Sequence, residues 1–217
     1  MASIQLRLKQ TGAGEGDVHM GGFVVEINKD DLKRVIRSLG GIESKTPGKI
    51  KNSINRSATK TMKKIREGRK SYVIKAGTFN EAVKVYRAGQ SHLDAVIKSS
   101  DKPHPLHKGS VMEGYYKTSG GRQGIKAAVT KNGMKMLKTG AGKAFYATMP
   151  KTGHAGIFQR EGKERLHIRE LFGPGASKMV KSIFKGKRGG GNLEPYIQKA
   201  LHDEIAAEIN KLIGGGG

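Results

Sequence analysis

Ile4, Leu6 and Leu8 alternate with polar neighbours over residues 3–9, and the run GFVVEI at 22–27 follows a glycine-rich stretch containing Gly12, Gly14 and Gly16. A two-residue period is the mark of a half-buried strand, so both segments read as strands. Asp30 or Asp31 is placed to cap a short helix bearing Leu32, Val35, Ile36 and Leu39, which ends at Gly40 and Gly41. Further on, residues 92–98 read as a strand, and residues 124–130, 144–149 and 154–160 as three more separated by glycine turns. Residues 79–87 (FNEAVKVYR) suit a short helix, although Val83, Val85 and Tyr86 are equally good strand formers. Residues 101–106 (DKPHPL) form a proline-punctuated loop, because proline has no N–H to donate to a ladder. Residues 167–171 read as a short turn or helix before Gly173-Pro174-Gly175.

The longer-period pattern predicts three more helices. From Pro47, the residues Ile50, Ile54, Ala58, Met62 and Ile65 make one narrow apolar stripe. Lys49, Lys51, Arg56, Lys60, Lys63, Lys64 and Arg66 fill the remaining surface with positive charge. This face is either solvated surface on a packed helix or a contact for DNA phosphates or an acidic neighbour. Residues 176–184 are helical, with Met179, Val180 and Ile183 apolar. After the basic glycine tract at 185–191, read as a hinge, Asn192 caps a long helix. Along it Leu193, Ile197, Leu201, Ile205, Ile209 and Ile213 step by four, and Ala200 and Leu212 widen the stripe. The pattern therefore predicts an α+β chain: a central antiparallel sheet, a long basic helix in its first half, a long C-terminal amphipathic helix and extended glycine-rich arms. It divides into an N-terminal section over 1–46, a main domain over 47–185, and a hinge with its helix over 186–217.

Composition sharpens this picture. With 35% hydrophobic residues, 32 Gly, no Trp and only 6 Phe and 6 Tyr, the 217-residue chain has material for one modest core. Arms outside such a core become ordered by packing on neighbours, since alone they bury too little to offset chain entropy. Lys and Arg number 41 against 18 Asp and Glu, a formal charge of +23. That excess repels like copies and attracts polyanions: nucleic acid, an acidic protein surface or an anionic membrane. No run approaches the ~20 apolar residues a membrane helix requires, and residues 1–10 have no continuous apolar core of a leader, so a soluble chain is expected. The absence of cysteine excludes disulfides and thiolate zinc sites.

Motifs for chemistry fail when tested. TGAGKA at 139–144 has Leu137 where a phosphate loop needs glycine and Ala144 where it needs a hydroxyl. The early glycines lack the spacing of a dinucleotide site. Of the seven histidines only His104 and His107 are near neighbours, and no carboxylate is spaced to complete a metal shell with them. No serine, histidine and aspartate follow the order of a hydrolase with a glycine-flanked nucleophile. The expectation is a non-enzymatic protein with no metal and no cofactor.

The most distinctive segment is GHAGIFQREGKERLHIRELFGPG at 153–175: a strand, a charged turn, a short apolar element and a Gly-Pro-Gly break into a helix. It resembles the signature region of the minor tail protein Z family of tailed bacteriophages. There a strand of the form G-H-x-G-(I/V)-F-x-R precedes, after a variable charged turn, an I-x-E-L-F-G-P run. The matching residues are Gly153, His154, Gly156, Ile157, Phe158 and Arg160, then Ile168, Glu170, Leu171, Phe172, Gly173 and Pro174. Residues 99–106 (SSDKPHPL) are similar to the family's serine-to-leucine proline loop, with Asp101, Lys102 and His104 as departures. The basic helix from Pro47 stands where the family has its basic helix. The likeness covers roughly residues 47–185; residues 1–46 and the helix after Asn192 match no motif of the family.

The resemblance implies an α+β tail-completion fold without catalytic activity. It also implies a homo-oligomeric ring, six-fold, at the tail end or head–tail neck of the virion, assembled in the host cytoplasm around the conduit for DNA. Its partners would be neighbouring tail, tail-terminator or neck proteins, with contact to DNA in the channel and none to a membrane. The candidate subunit interface comprises Phe158, Arg160, Leu171 and Phe172 of the signature, and Leu193, Ile197, Leu201, Ile205 and Ile209 of the last helix. A sequence-nonspecific DNA-binding phage protein is the alternative, on the charge and the basic helix face.

Overall fold

Two long helices and a set of short antiparallel ladders define the architecture of this computed structural model, which describes residues 6–10, 22–27, 46–106, 117–121, 124–139, 142–162, 167–187 and 192–214. The predicted helix at 30–39, His19, His107 and the last three glycines lie outside those residues. In chain order the elements are β1 (Leu6–Gln10), β2 (Gly22–Ile27), α1 (Thr46–Arg69), α2 (Ala76–Ala82), β3 (Val83–Tyr86), β4 (Ala95–Ser99) and β5 (His104–Pro105). Then follow β6 (Lys117–Gly121), β7 (Gly124–Ala128), β8 (Lys135–Met136), β9 (Lys138–Thr139), β10 (Gly142–Lys143) and β11 (Phe145–Thr148). The chain ends with β12 (Ala155–Arg160), β13 (Ile168–Glu170), β14 (Phe172–Gly173), α3 (Ala176–Phe184) and α4 (Leu193–Gly214). The α+β class holds. In place of one central sheet, the described strands form five small ones: β1-β2-β4-β3, β6-β7-β8, β10-β9, β11-β12-β13 and β14-β5. Glycines and prolines interrupt the strands too often for a longer ladder.

Local chemistry explains the points where prediction and structure part. Residues 79–87 are both alternatives in succession, since α2 ends at Ala82 and Val83 opens β3 without a turn between them. Within residues 167–171 the segment Ile168–Glu170 is a strand, with β13 pairing Phe158↔Glu170, Gln159↔Arg169 and Arg160↔Ile168. Three residues are too few to reveal an alternation, so the ladder decides. The N-terminal strands continue the sheet of the main domain, because β2 pairs with β4 in the register Gly22↔Lys98 to Val25↔Ala95. Lys185 and Asn192 are bridged, which holds together the two ends of the glycine tract read as a hinge.

The main core gathers Met62 and Ile65 of α1, Phe79, Ile97, Ile125 and Ile157 of the shorter elements, Met179, Val180 and Ile183 of α3, and Leu193 and Ile197 of α4. A second cluster joins Ile50 and Ile54 of α1 to Leu201 and Ile205 of α4, with Ala88 and Ala95 beneath. The two long helices thus pack along much of their length. Burial on α1 is wider than its apolar stripe, because Ser53, Ser57 and Thr61 are buried as well. Their size lets the helices approach. Ser53 Oγ donates to Glu204 O at 3.1 Å and Thr61 Oγ1 to Ser57 O at 2.9 Å, so the hydroxyls of Ser53 and Thr61 are not left dry and unbonded. Asn192 caps α4 as expected, its Oδ1 accepting from the Glu194 N–H at 3.1 Å.

Candidate functional site

The signature segment folds into one sheet face and one corner. Alternate residues of a strand share a face, and the registers Phe145↔Phe158 and Phe158↔Glu170 put Phe145, Phe158 and Glu170 in a row across β11, β12 and β13. Gly156, Arg160 and Ile168 lie on that same face. His154 Nε2 meets Glu170 Oε2 at 2.9 Å, and its ring stands edge-on to Phe158 at 6.3 Å. A Cβ at position 156 would fall 2.8 Å from Glu170 Oε1, so a larger residue there would make this carboxylate shift from its place over the strand. The Arg160 guanidinium lies 5.7 Å from the Phe145 ring centroid, a cation–π contact. Sequence reading did not pair His154 with Glu170; the available signal was that both stand in the signature.

The corner unites two segments about seventy residues apart in the chain. Phe172 pairs with Pro105 and Gly173 with His104, so the proline loop at 99–106 is laced to the Gly-Pro-Gly break. Ser100 joins three elements: its N–H donates to Ala82 O at 2.8 Å, and its carbonyl accepts from Ser177 N at 3.0 Å at the start of α3. Burial, helped by the nearby charge of Lys102, holds the half-buried His104 imidazole below its ordinary pKa and favours the neutral ring.

Of the signature residues proposed for an interface, Phe158 is only 6% exposed and Leu171 leans on the main core, whereas Arg160 is exposed and Phe172 is 47% exposed. The corresponding stripe of the last helix is used inside the chain. Leu193, Ile197, Leu201 and Ile205 are all buried by the chain's own residues, which corrects their reading as free interface surface. The stripe of α1 needed a partner, and the stripe of α4 supplies one. The side chain of Ile209 lies outside the described residues.

The basic face of α1 also finds partners within the chain. Arg56 bonds Glu208 through Nη2 and Glu204 through Nε, the latter at 2.8 Å, while Lys60 reaches Glu204 at 2.6 Å and Lys49 reaches Glu208 at 3.8 Å. The carboxylates these cations meet therefore belong to α4. The hydrogen bond and charge of Glu208, with those of Glu204, raise Arg56 above its ordinary pKa, and Glu204 does the same for Lys60. Lys64 pairs with Glu67 at 3.0 Å and lies over the Tyr196 ring, and Arg66 Nε donates to Asn80 Oδ1 at 3.2 Å. Lys51 and Lys63 form no ion pair among the described residues.

Among the described residues no three His, Asp or Glu side chains converge to hold a metal. Nor is any described helix long and apolar enough to cross a membrane. What the geometry offers is surface: an aromatic and charged sheet face, a laced corner and an unevenly neutralised distribution of cations. Comparisons with protein-family models, with curated proteins and with solved structures give no match.

Proposed function

We propose that this protein is a structural component of a tailed bacteriophage virion, a tail-completion or neck subunit that assembles as a homo-oligomeric, six-fold ring around the DNA conduit. The role is non-catalytic, and the partners are adjacent tail, terminator or neck proteins. The observation that supports the reading most is the corner. The two segments that resemble the minor tail protein Z family, 99–106 and 153–175, are distant in sequence yet meet through the pairs Phe172↔Pro105 and Gly173↔His104. Motifs that meet by chance similarity have no reason to become one structural unit. Within that unit Phe172 and Arg160 remain exposed and are the residues this reading assigns to subunit contact.

Electron microscopy of particles from a phage with a stop codon in this gene tests the proposal. Tails that are missing, unjoined to heads, or joined but unable to deliver DNA are expected. Normal infectious particles overturn it. The formal charge of +23 favours a second reading, a nonspecific DNA-binding protein outside the virion, for which such normal particles would be the outcome.

A further inference from the structure

The cations of this chain are not neutralised evenly. Four of those on α1 are held by carboxylates of the same chain. By contrast, the sequence contains no Asp or Glu anywhere between Glu113 and Glu161, while Lys or Arg recurs every few residues. This carboxylate-free stretch includes β6, β7 and β8, and the structure joins it to the C-terminal end of α1. Val73 N donates to Val129 O at 3.1 Å, Lys131 N donates to Ser71 O at 3.0 Å, and Tyr72 is bridged to Thr130.

An open groove of about 600 Å³ runs along that junction, lined by the cations Arg69, Lys70 and Lys131 together with Tyr72, Ala128 and Thr130. Arg69 is fixed by donating Nη1 to Ile74 O at 2.8 Å. Lys126, two residues from Ala128 on β7, is exposed on the same face and extends the positive track. None of these cations lies within ion-pair distance of a carboxylate among the described residues. The volume is too large and too open for a single small anion and suits an extended phosphodiester chain.

We infer that this groove, rather than the basic face of α1, is the surface that binds nucleic acid, and that it holds the sugar–phosphate backbone of duplex DNA without reading sequence. Lysines supply point charges for phosphates, whereas base recognition relies on bidentate side chains inserted in a groove. The one aromatic ring lining the groove among the described residues, Tyr72, is 6% exposed and too buried to serve as a platform for stacking single-stranded bases. An acidic protein surface would also be attracted, but Met134 is the one exposed large hydrophobic among the described lining residues that could anchor one. The inference stands on charge and geometry and does not require the virion reading.

The test is fluorescence anisotropy of a labelled 20-base-pair duplex with the full-length chain across a salt series. K70Q/K126Q/K131Q is compared with K51Q/K63Q/R66Q on α1, and circular dichroism confirms that both variants are folded. Losing three phosphate contacts lowers the slope of log K against log salt by about 3 and weakens binding on the order of a hundredfold at 100 mM salt. The α1 variant is expected to keep the wild-type slope. If the groove triple unfolds, K131Q alone, with a slope change of about 1, carries the test. An unchanged slope in the groove variant, a loss confined to the α1 variant, or no duplex binding at low salt overturns the inference. Tighter binding to polyglutamate than to duplex also overturns it and assigns the groove to an acidic protein.

Discussion

Gly175 lies so close to the carbonyl of Lys102 that a Cβ at this position would sit 2.7 Å from that oxygen and 2.9 Å from the carbonyl of Asp101. Both obstacles are backbone, and both belong to the loop that β14 and the start of α3 hold in place, so neither can swing aside. Gly175→Ala is therefore expected to destabilise the fold by about 1–3 kcal/mol, the usual cost of overpacking. For a chain of this size that lowers the melting temperature by roughly 2–4 °C per kcal/mol. Gly162, with nothing within 4 Å of its Cβ position, is the control, and Gly162→Ala is expected to leave the melting temperature nearly unchanged. Equal effects at the two positions would show that the corner yields more easily than its contacts indicate.

The seam between α1 and α4 gives a pH dependence of definite sign. The hydrogen bond from Lys60, then the charges of Lys60 and Arg56, hold Glu204 below the ordinary carboxylate value of 4.5. Burial alone pushes Glu208 upward, and it is the largest single influence. The Arg56 hydrogen bond and charge, with Lys211, outweigh it together and leave this carboxyl lowered too. A folded-state pKa below the unfolded one contributes stability that is fully present above about 4.5 and is lost as pH falls through the folded value. Wild-type stability should decline in that acid window. Glu204→Gln/Glu208→Gln should be less stable at pH 7 by about 1–2 kcal/mol, kept small because Arg56 and Lys60 are partly solvated, and should decline less below pH 4.5. Urea unfolding between pH 3 and 7 checks this; parallel curves for the two proteins would remove the seam as the cause.

Ile205 is 5% exposed among Ile50, Ile54 and Leu201, in the cluster that joins the two long helices. A charge placed there has no partner, and the ion pairs of the seam lie on the flank of the cluster rather than within it. Ile205→Asp is expected to unfold the helix pair in the isolated chain, and Leu201→Ala to cost about 2–4 kcal/mol by opening a cavity. Thermal unfolding of dilute protein measures both. A folded, monomeric Ile205→Asp of wild-type stability would return the stripe of α4 to the role of an intersubunit surface.

Periodicity made both long helices visible, because Ile50, Ile54, Met62 and Ile65 on one and Leu193, Ile197, Leu201 and Ile205 on the other repeat every turn or so over many residues. It did not show that these stripes face each other. That depends on Ser53, Ser57 and Thr61, which a hydropathy pattern scores as polar although all three are buried and the hydroxyls of Ser53 and Thr61 bond helix carbonyls. The ion pairs from Arg56 to Glu204 and Glu208 were equally hidden, since choosing carboxylates some 150 residues away requires knowing which helices touch. The pairing of β5 with β14 is two residues long, below the length at which alternation carries information. Within the site, the signature residues were legible as a string. Their arrangement was not, because His154 and Glu170 come together only once β13 has taken its register on β12.

Gly68 marks the crossing of α1 and α3. A Cβ there would lie 2.5 Å from Cγ2 and 3.0 Å from Cγ1 of Ile183, which is fully buried. Two effects oppose each other in Gly68→Ala. Alanine favours a helix over glycine by about 1 kcal/mol, but the methyl must displace a packed isoleucine, costing typically 1–3 kcal/mol. The clash is expected to win, with a net loss of about 1–2 kcal/mol. Removing both obstructing methyl-bearing branches with Ile183→Ala leaves the nearest remaining atom, Cβ, at 3.3 Å from the new methyl. Ile183→Ala alone opens a cavity and costs about 2–5 kcal/mol. In that background the helix preference of alanine is no longer opposed by the branch, so Gly68→Ala becomes neutral or stabilising. The double-mutant cycle should yield a coupling of about 1–3 kcal/mol, read by urea unfolding of the four proteins. Additivity to within about 0.5 kcal/mol would mean that α3 slides to accommodate the methyl, and that the glycine is not what sets the distance between these helices.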